Sequence, residues 1–195
     1  MNARHPLVSV SGLVLAKREA GEANTLAVIL TDRLGLVFAK AQSARRERSK
    51  LRYALEPLTA ARFSLVRGRY EWKLVGAERA VRLAPRAAAS RRSASRVSSL
   101  VLRLVGGEEA SPSLYEIVAH GLRRFADLEE GEDAEILEAV VMLRILSSLG
   151  YVPSAPETEP FLSAGPVSPE LLSRAAAFRA PLAHAVDESL RASGL

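Results

Sequence analysis

At 195 residues, 48% hydrophobic and without cysteine, the chain has apolar content for one sizeable core or two small ones, and it can form neither a disulfide nor a thiolate metal site. No uninterrupted apolar run reaches about 18 residues, so no membrane-spanning helix is expected, and the absence of cysteine makes a cytoplasmic location the default. The net charge of +5 is unevenly divided: residues 1–85 carry 16 Lys and Arg against 7 Asp and Glu, and residues 86–195 carry 11 against 15, so a polyanion is expected to meet the first half.

The first residues have the outline of a secretory signal. However, Ser9 and Ser11 alternate with Val8 and Val10, and Lys17-Arg18 is a poor cleavage flank, so the segment reads as a first strand over 7–17. Gly12 sits where its alternation changes phase, which predicts a bulge or bend there. A turn with Gly21 and Asn24 leads to a short apolar strand at 25–31. The turn Asp32-Arg33-Leu34-Gly35 leads to a third strand at 36–42. Residues 58–83 read as a hairpin turning at Gly68, with Phe63, Leu65, Trp72 and Leu74 at strand spacing.

Between the third strand and the hairpin lies KAQSARRERSKLR, which sets Lys40, Arg45, Arg46, Arg48, Lys50 and Arg52 against one acid, Glu47. A loop that presents several cations together is an electrostatic site for phosphates, although the same run also fits a solvated loop. Unpaired bases need aromatic faces to stack on, and the candidates are Tyr53, Phe63, Tyr70 and Trp72. Phe63 is in phase with Leu65 and is assigned to the core; of the remaining three, Tyr70 and Trp72 share one strand face and are taken as the stacking pair.

After Pro85 the apolar period changes from two to about 3.6. A helix is predicted over 86–105, with Val97, Leu100, Val101, Leu104 and Val105 as its apolar stripe and Gly106-Gly107 as its stop. Ser111-Pro112 opens a second helix that buries Leu114, Ile117, Val118, Leu122 and Phe125. Asp133 caps a third, apolar around its circumference and expected at the centre of a bundle, which ends at Gly150. A Pro-rich loop at 152–167 follows, and Ser168-Pro169 caps a last helix running toward Leu190. The expected fold class is α+β: a five-stranded oligonucleotide-binding (OB-fold) β-barrel over 1–85, then an all-α helical domain over 86–195.

The three histidines, His5, His120 and His184, have no second ligand at helical or hairpin spacing, so no metal or other cofactor is expected. There is no glycine-rich phosphate loop, nucleophile elbow or zinc-hydrolase helix, so the chain reads as a binding protein, not an enzyme. Glu129, Glu130, Glu132 and Asp133 cluster where acids favour a helix start. Arg86, Arg91, Arg92 and Arg96 form a second basic cluster on the first long helix, either an extension of the track or an exposed helix face. The competing reading is a protein-interaction adaptor whose barrel binds no nucleic acid.

The order of these features resembles the bacterial RecO family of recombination mediators. The resemblance is carried by Gly12-Leu13-Val14-Leu15 with Lys17, Gly21-Glu22, the strand from Leu26 to Thr31 with Leu34-Gly35, and Val37, Ala39 and Lys40 leading to Arg45 and Arg46. Ser49-Lys50-Leu51, Ala54-Leu55-Glu56-Pro57-Leu58 and the later Leu149-Gly150-Tyr151 complete it. It implies binding of single- and double-stranded DNA, annealing of complementary strands, and help in placing RecA on DNA coated by single-stranded-DNA-binding protein. RecR is the implied partner. The matching family positions for DNA contact are Lys40, Arg45, Arg46 and Lys50; Arg48 and Arg52 are added here from charge alone. Many members carry a four-cysteine zinc module after the position of Leu149-Gly150-Tyr151, where this chain has the cysteine-free segment 152–167. The family's helical domain receives the acidic tail of the single-stranded-DNA-binding protein, which in this acidic half requires Arg123, Arg124 or Arg144 to gather into a basic pocket.

Overall fold

The computed structural model describes residues 6–42, 44, 49, 51–69, 71–129, 132–152, 156–163 and 165–195. The chain divides into two compact units. One reaches to Leu83 and takes in Val105–Pro112, and the other comprises Ala84–Leu104 and Ser113–Leu195. A linear division at residue 85 therefore leaves out one segment of the first unit, the stretch between the first two long helices.

The first unit is a closed barrel of five strands, β1 (Leu7–Glu19), β2 (Thr25–Thr31), β3 (Gly35–Ala41), β4 (Thr59–Arg67) and β5 (Trp72–Arg82), in the order β1-β2-β3-β5-β4. The β3–β5 pairing is parallel and the others antiparallel. This is the OB-fold arrangement the strand count predicts. Closure depends on the length of β1, which pairs with β4 through residues 7–14 and with β2 through residues 12–19. The bend predicted at Gly12 lies instead at Leu15, where the β1–β2 register shifts between Val14 and Ala16. Gly12 provides room: a Cβ there would lie 2.7 Å from Ile29 Cγ2 and 2.8 Å from Phe63 Cδ2, in the middle of the core.

Alternation puts Val10, Val14, Ile29, Val37, Phe63, Leu65, Trp72 and Leu74 inside the barrel, with Phe63 fully buried as expected. A single helical turn, α1 (Leu51–Ala54), lies in the chain between β3 and β4 and sets Leu55 into the same core. It is too short to have shown a helical period in the sequence.

The segment Val105–Pro112 is bound to the start of β3 and the end of β4. Leu36 N donates to Gly107 O at 2.9 Å, and Arg67 of β4 pairs with Glu108. The hydrogen bond from Arg67 outweighs the opposing effect of burial and holds the Glu108 carboxyl below its ordinary range.

The second unit contains α2 (Ala88–Leu104), α3 (Pro112–Ala126), α4 (Ala134–Ser148), α5 (Pro169–Ala177) and α6 (Arg179–Ala192). As predicted, α4 is central: it is buried around its circumference and packs against α2, α5 and α6. Gly121 lets α3 close on it, since a Cβ there would meet Val141 Cγ1 at 2.8 Å. Asp133 caps α4 by accepting from Glu135 N at 2.9 Å and Ile136 N at 3.1 Å, and Ser168 caps α5 through Leu171 N.

The single last helix predicted from Ser168 to Leu190 is broken at Phe178. Pro181 is the reason. It has no N–H to donate to the Ala177 carbonyl and its ring crowds that oxygen, so the chain must restart, with Pro181 in the first turn of α6, where a missing donor costs nothing.

The start of α4 is also an acid-sensitive joint. Burial raises the pKa of Asp133, but the Ile136 N–H, the Arg179 guanidinium of α6 and the Glu135 N–H together outweigh it and hold the carboxyl below its ordinary value. Glu132 behaves alike: burial raises it, and Arg124 with the Glu129 N–H brings it down further. A carboxylate lowered in the folded state stabilises above its unfolded pKa and loses that contribution as pH falls through the folded one. The helical unit is therefore expected to lose stability progressively below about pH 4.5, the ordinary carboxylate range. In urea titrations followed by circular dichroism, Asp133→Asn should remove part of this pH dependence; an unchanged acid profile would refute the assignment.

Candidate nucleic-acid interface

The cross-strand registers bring together cations that are far apart in sequence. Arg18 of β1 stands opposite Leu26 of β2, Leu26 opposite Lys40 of β3, and Lys40 beside Lys73 of β5. Adjacent strands are about 4.8 Å apart, so Arg18, Leu26, Lys40 and Lys73 form one row across the outer surface of four strands. Their chain neighbours Thr25, Ala27, Ala39, Ala41, Trp72 and Leu74 are buried, as inward residues of an alternating strand should be. The next row along the same face is Ala16, Val28 and Phe38.

Arg18 also lines a groove of about 410 Å³ at the end of the barrel, together with Lys17, Thr25, Ala44, Arg52, Leu55 and the acids Glu19 and Glu56. Row and groove thus share one residue and make a continuous cationic track. Two of its cations are met by the protein's own acids, Lys17 by Glu56 at 2.6 Å and Lys40 by Glu71 at 3.6 Å. Both pairs are part-exposed, so each contributes at most about 1 kcal/mol and an incoming phosphate can replace the carboxylate. Arg18, Arg52 and Lys73 make no side-chain ion pair among the described residues.

Of the residues singled out in the sequence, Lys40 lies on the row and Arg52 in the groove. Arg45, Arg46, Arg48, Lys50 and Tyr70 lie outside the described residues. Trp72 must be corrected as a stacking platform. It stands opposite Ala39 in phase with the core, is 7% exposed, and carries the Arg67 guanidinium carbon 5.0 Å from its ring centroid.

Arg18 and Lys73 were not singled out. Each has the outward phase of its strand, but only the β1–β2 and β3–β5 pairings put them beside Lys40, and neither pairing can be read from local periodicity. The second basic cluster is half committed elsewhere. Arg96 pairs with Glu138, which raises its pKa, and Arg91 donates to the carbonyls of Pro85 and Arg86.

The basic pocket required for an acidic tail is not assembled from Arg124 and Arg144 either. Arg124 pairs with Glu132 and donates to the carbonyls of Val167 and Asp127, while Arg144 is 2% exposed and bonded to the carbonyls of Phe161 and Gly165. Among the described residues there is no group of three or more metal-ligating side chains, and no helix is long and apolar enough to cross a membrane.

Two family models match the chain, "Recombination protein O N terminal" over residues 5–75 and "Recombination protein O C terminal" over residues 93–156. Among curated relatives, the DNA repair protein RecO of Pelotomaculum thermopropionicum is 32% identical over 150 residues, covering 75% of this chain and 57% of the relative. The protein of the same name from Dehalococcoides mccartyi strain CBDB1 is 27% identical over 150 residues, with 74% and 57% covered. That from Gloeothece citriformis is 29% identical over 146 residues, with 73% and 51% covered. The matched region thus spans little more than half the length of these relatives. The first model covers the barrel strands through the Arg18–Lys40–Lys73 row, the second runs from within α2 to beyond α4, and on both counts the chain belongs to the RecO family.

Proposed function

We propose that the chain is a DNA-binding recombination mediator of the RecO type, acting in DNA repair by binding and annealing strands and not by making or breaking bonds. The observation that carries this reading is the outer row Arg18, Lys40 and Lys73 running into the Lys17, Arg18 and Arg52 groove. Cations in a line neutralise successive phosphates and release their counterions, an attraction independent of base sequence and steeply weakened by salt. Arg45, Arg46, Arg48 and Lys50 belong to the same proposal, because in sequence they lie between Ala44 and Arg52, both of which line the groove.

A surface that contacts backbone and leaves base edges open suits both single and double strands. It also favours annealing, since it lowers the repulsion between two strands held together. In the recombination setting the partners proposed are single- and double-stranded DNA, RecR and single-stranded-DNA-binding protein, with the chain assisting RecA loading. Because Arg124 and Arg144 are committed to their own unit, an acidic-tail contact would have to use other cations.

The test is a titration of a labelled single strand and a labelled duplex at two salt concentrations, with a parallel measurement of annealing rate. Binding is expected to fall steeply with salt. Arg18→Glu/Lys40→Glu/Lys73→Glu is expected to lose at least about tenfold in affinity for both probes and to flatten the salt slope, because three phosphate contacts become repulsive. A triple variant that folds and binds as the unaltered chain does would sink the proposal.

A further inference from the structure

We infer that Phe38 is a base-stacking residue that separates single-stranded from duplex nucleic acid on this barrel; the inference rests on the reading of the outer row as a phosphate track. Phe38 is 50% exposed in the middle of β3, whereas the other outward residue of its first half, Leu36, is 2% exposed. Its cross-strand partner on β2 is Val28, itself 8% exposed, so the ring is flanked by a buried apolar side chain and stands half open to solvent.

Two residues further along the same strand face stands Lys40, with Lys73 next to it on one side and Arg18 beyond Leu26 on the other. A large aromatic left half in water one step from a row of cations has the chemistry of a nucleotide seat: the cations take the phosphates and the ring takes a base. Of the acids near the row, Glu71 already faces Lys40. Among the described residues the other exposed large aromatics are Tyr53, on α1 and not on the strand face of the row, and Phe178, which belongs to the helical unit and packs on Phe161.

The discrimination follows from geometry. In a duplex both faces of an interior base are covered by its neighbours, so a ring fixed on a sheet surface reaches none of them, while an unpaired strand can turn a base onto it. Single strands are therefore held by cations and ring together, duplex by the cations alone. Three expectations follow for fluorescence anisotropy with a labelled oligothymidine and a blunt duplex of equal length. First, Phe38→Ala weakens single-strand binding by roughly 5- to 150-fold, the range for loss of one stacked base. Second, it leaves duplex binding and the salt slope unchanged, because no phosphate contact is removed. Third, Phe38→Trp restores single-strand binding.

Since the ring is exposed, Phe38→Ala should keep the barrel folded, which the fluorescence of the only tryptophan, Trp72 in the core, verifies directly. Equal losses on both probes, or no loss on the single strand, overturn the inference while the triple charge reversal still tests the track. Failure of the unaltered chain to bind either probe overturns both.

Discussion

Gly35→Ala is expected to be among the most damaging single-methyl substitutions in the barrel, costing about 3 to 5 kcal/mol. Gly35 has φ +68°, a left-handed conformation that a residue with a Cβ adopts only with strain. It is also pressed against the backbone of the returning segment Val105–Pro112: a Cβ would fall 2.8 Å from both the carbonyl carbon and the amide nitrogen of Glu109, and closer still to its oxygen. A side chain could swing aside, but backbone held by the Leu36 N to Gly107 O bond cannot. The alanine must therefore either distort the start of β3 or dislodge the segment, with loss of that bond and of the Arg67–Glu108 pair. Gly21 supplies the control. Its φ is +81°, yet a Cβ there meets nothing within 4 Å, so Gly21→Ala should cost only the conformational strain, about 1 kcal/mol. Urea unfolding followed by Trp72 fluorescence measures both. Similar costs for the two variants would show that the contact with Glu109 carries no weight.

The barrel was legible in the sequence because strands such as β4 alternate inward and outward residues and β2 is a short apolar run between turns, and neither signal needs knowledge of partners. The helical unit was legible through its caps, Asp133 and Ser168, and through the apolar circumference of α4. What escaped is what depends on non-local pairing. The basic run 40–52 is contiguous and so legible, but the row of Arg18, Lys40 and Lys73 exists only because β1 lies beside β2 and β5 runs parallel to β3. Trp72 escaped for the same reason: an aromatic on a strand has two possible faces, and only the register opposite Ala39 turns this one inward. Phe38 was overlooked because LVFAKA reads as an apolar strand with no sign of which apolar residues are left uncovered. Pro181 was a local signal that was missed; a proline that deep in a predicted helix marks a restart.

Arg144→Ala is the second large effect expected, about 3 kcal/mol in the helical unit, and it bears on how the segment 156–167 is held. Arg144 sits on the buried central helix, where its Nε donates to Phe161 O at 2.8 Å and one terminal nitrogen donates to Gly165 O at 2.6 Å. The other terminal nitrogen is buried without a partner, and burial lowers the pKa of the guanidinium from its ordinary value. It makes no ion pair among the described residues, so this is a charge placed in the interior and compensated only by carbonyl dipoles. Such an arrangement is costly to form, which separates its structural role from its energetic one. Truncation to alanine leaves a cavity beside α4 and strips the two carbonyls of their donor. Arg144→Met keeps the apolar stem and removes the uncompensated charge, so its cost should stay within about 1 kcal/mol. Both variants lose the staple on the loop, however, and both should be cut faster between residues 156 and 167 in limited proteolysis while Arg144→Met melts near the unaltered chain. Equal destabilisation by alanine and methionine would mean that the two carbonyl bonds, not the packing of the stem, hold this unit together.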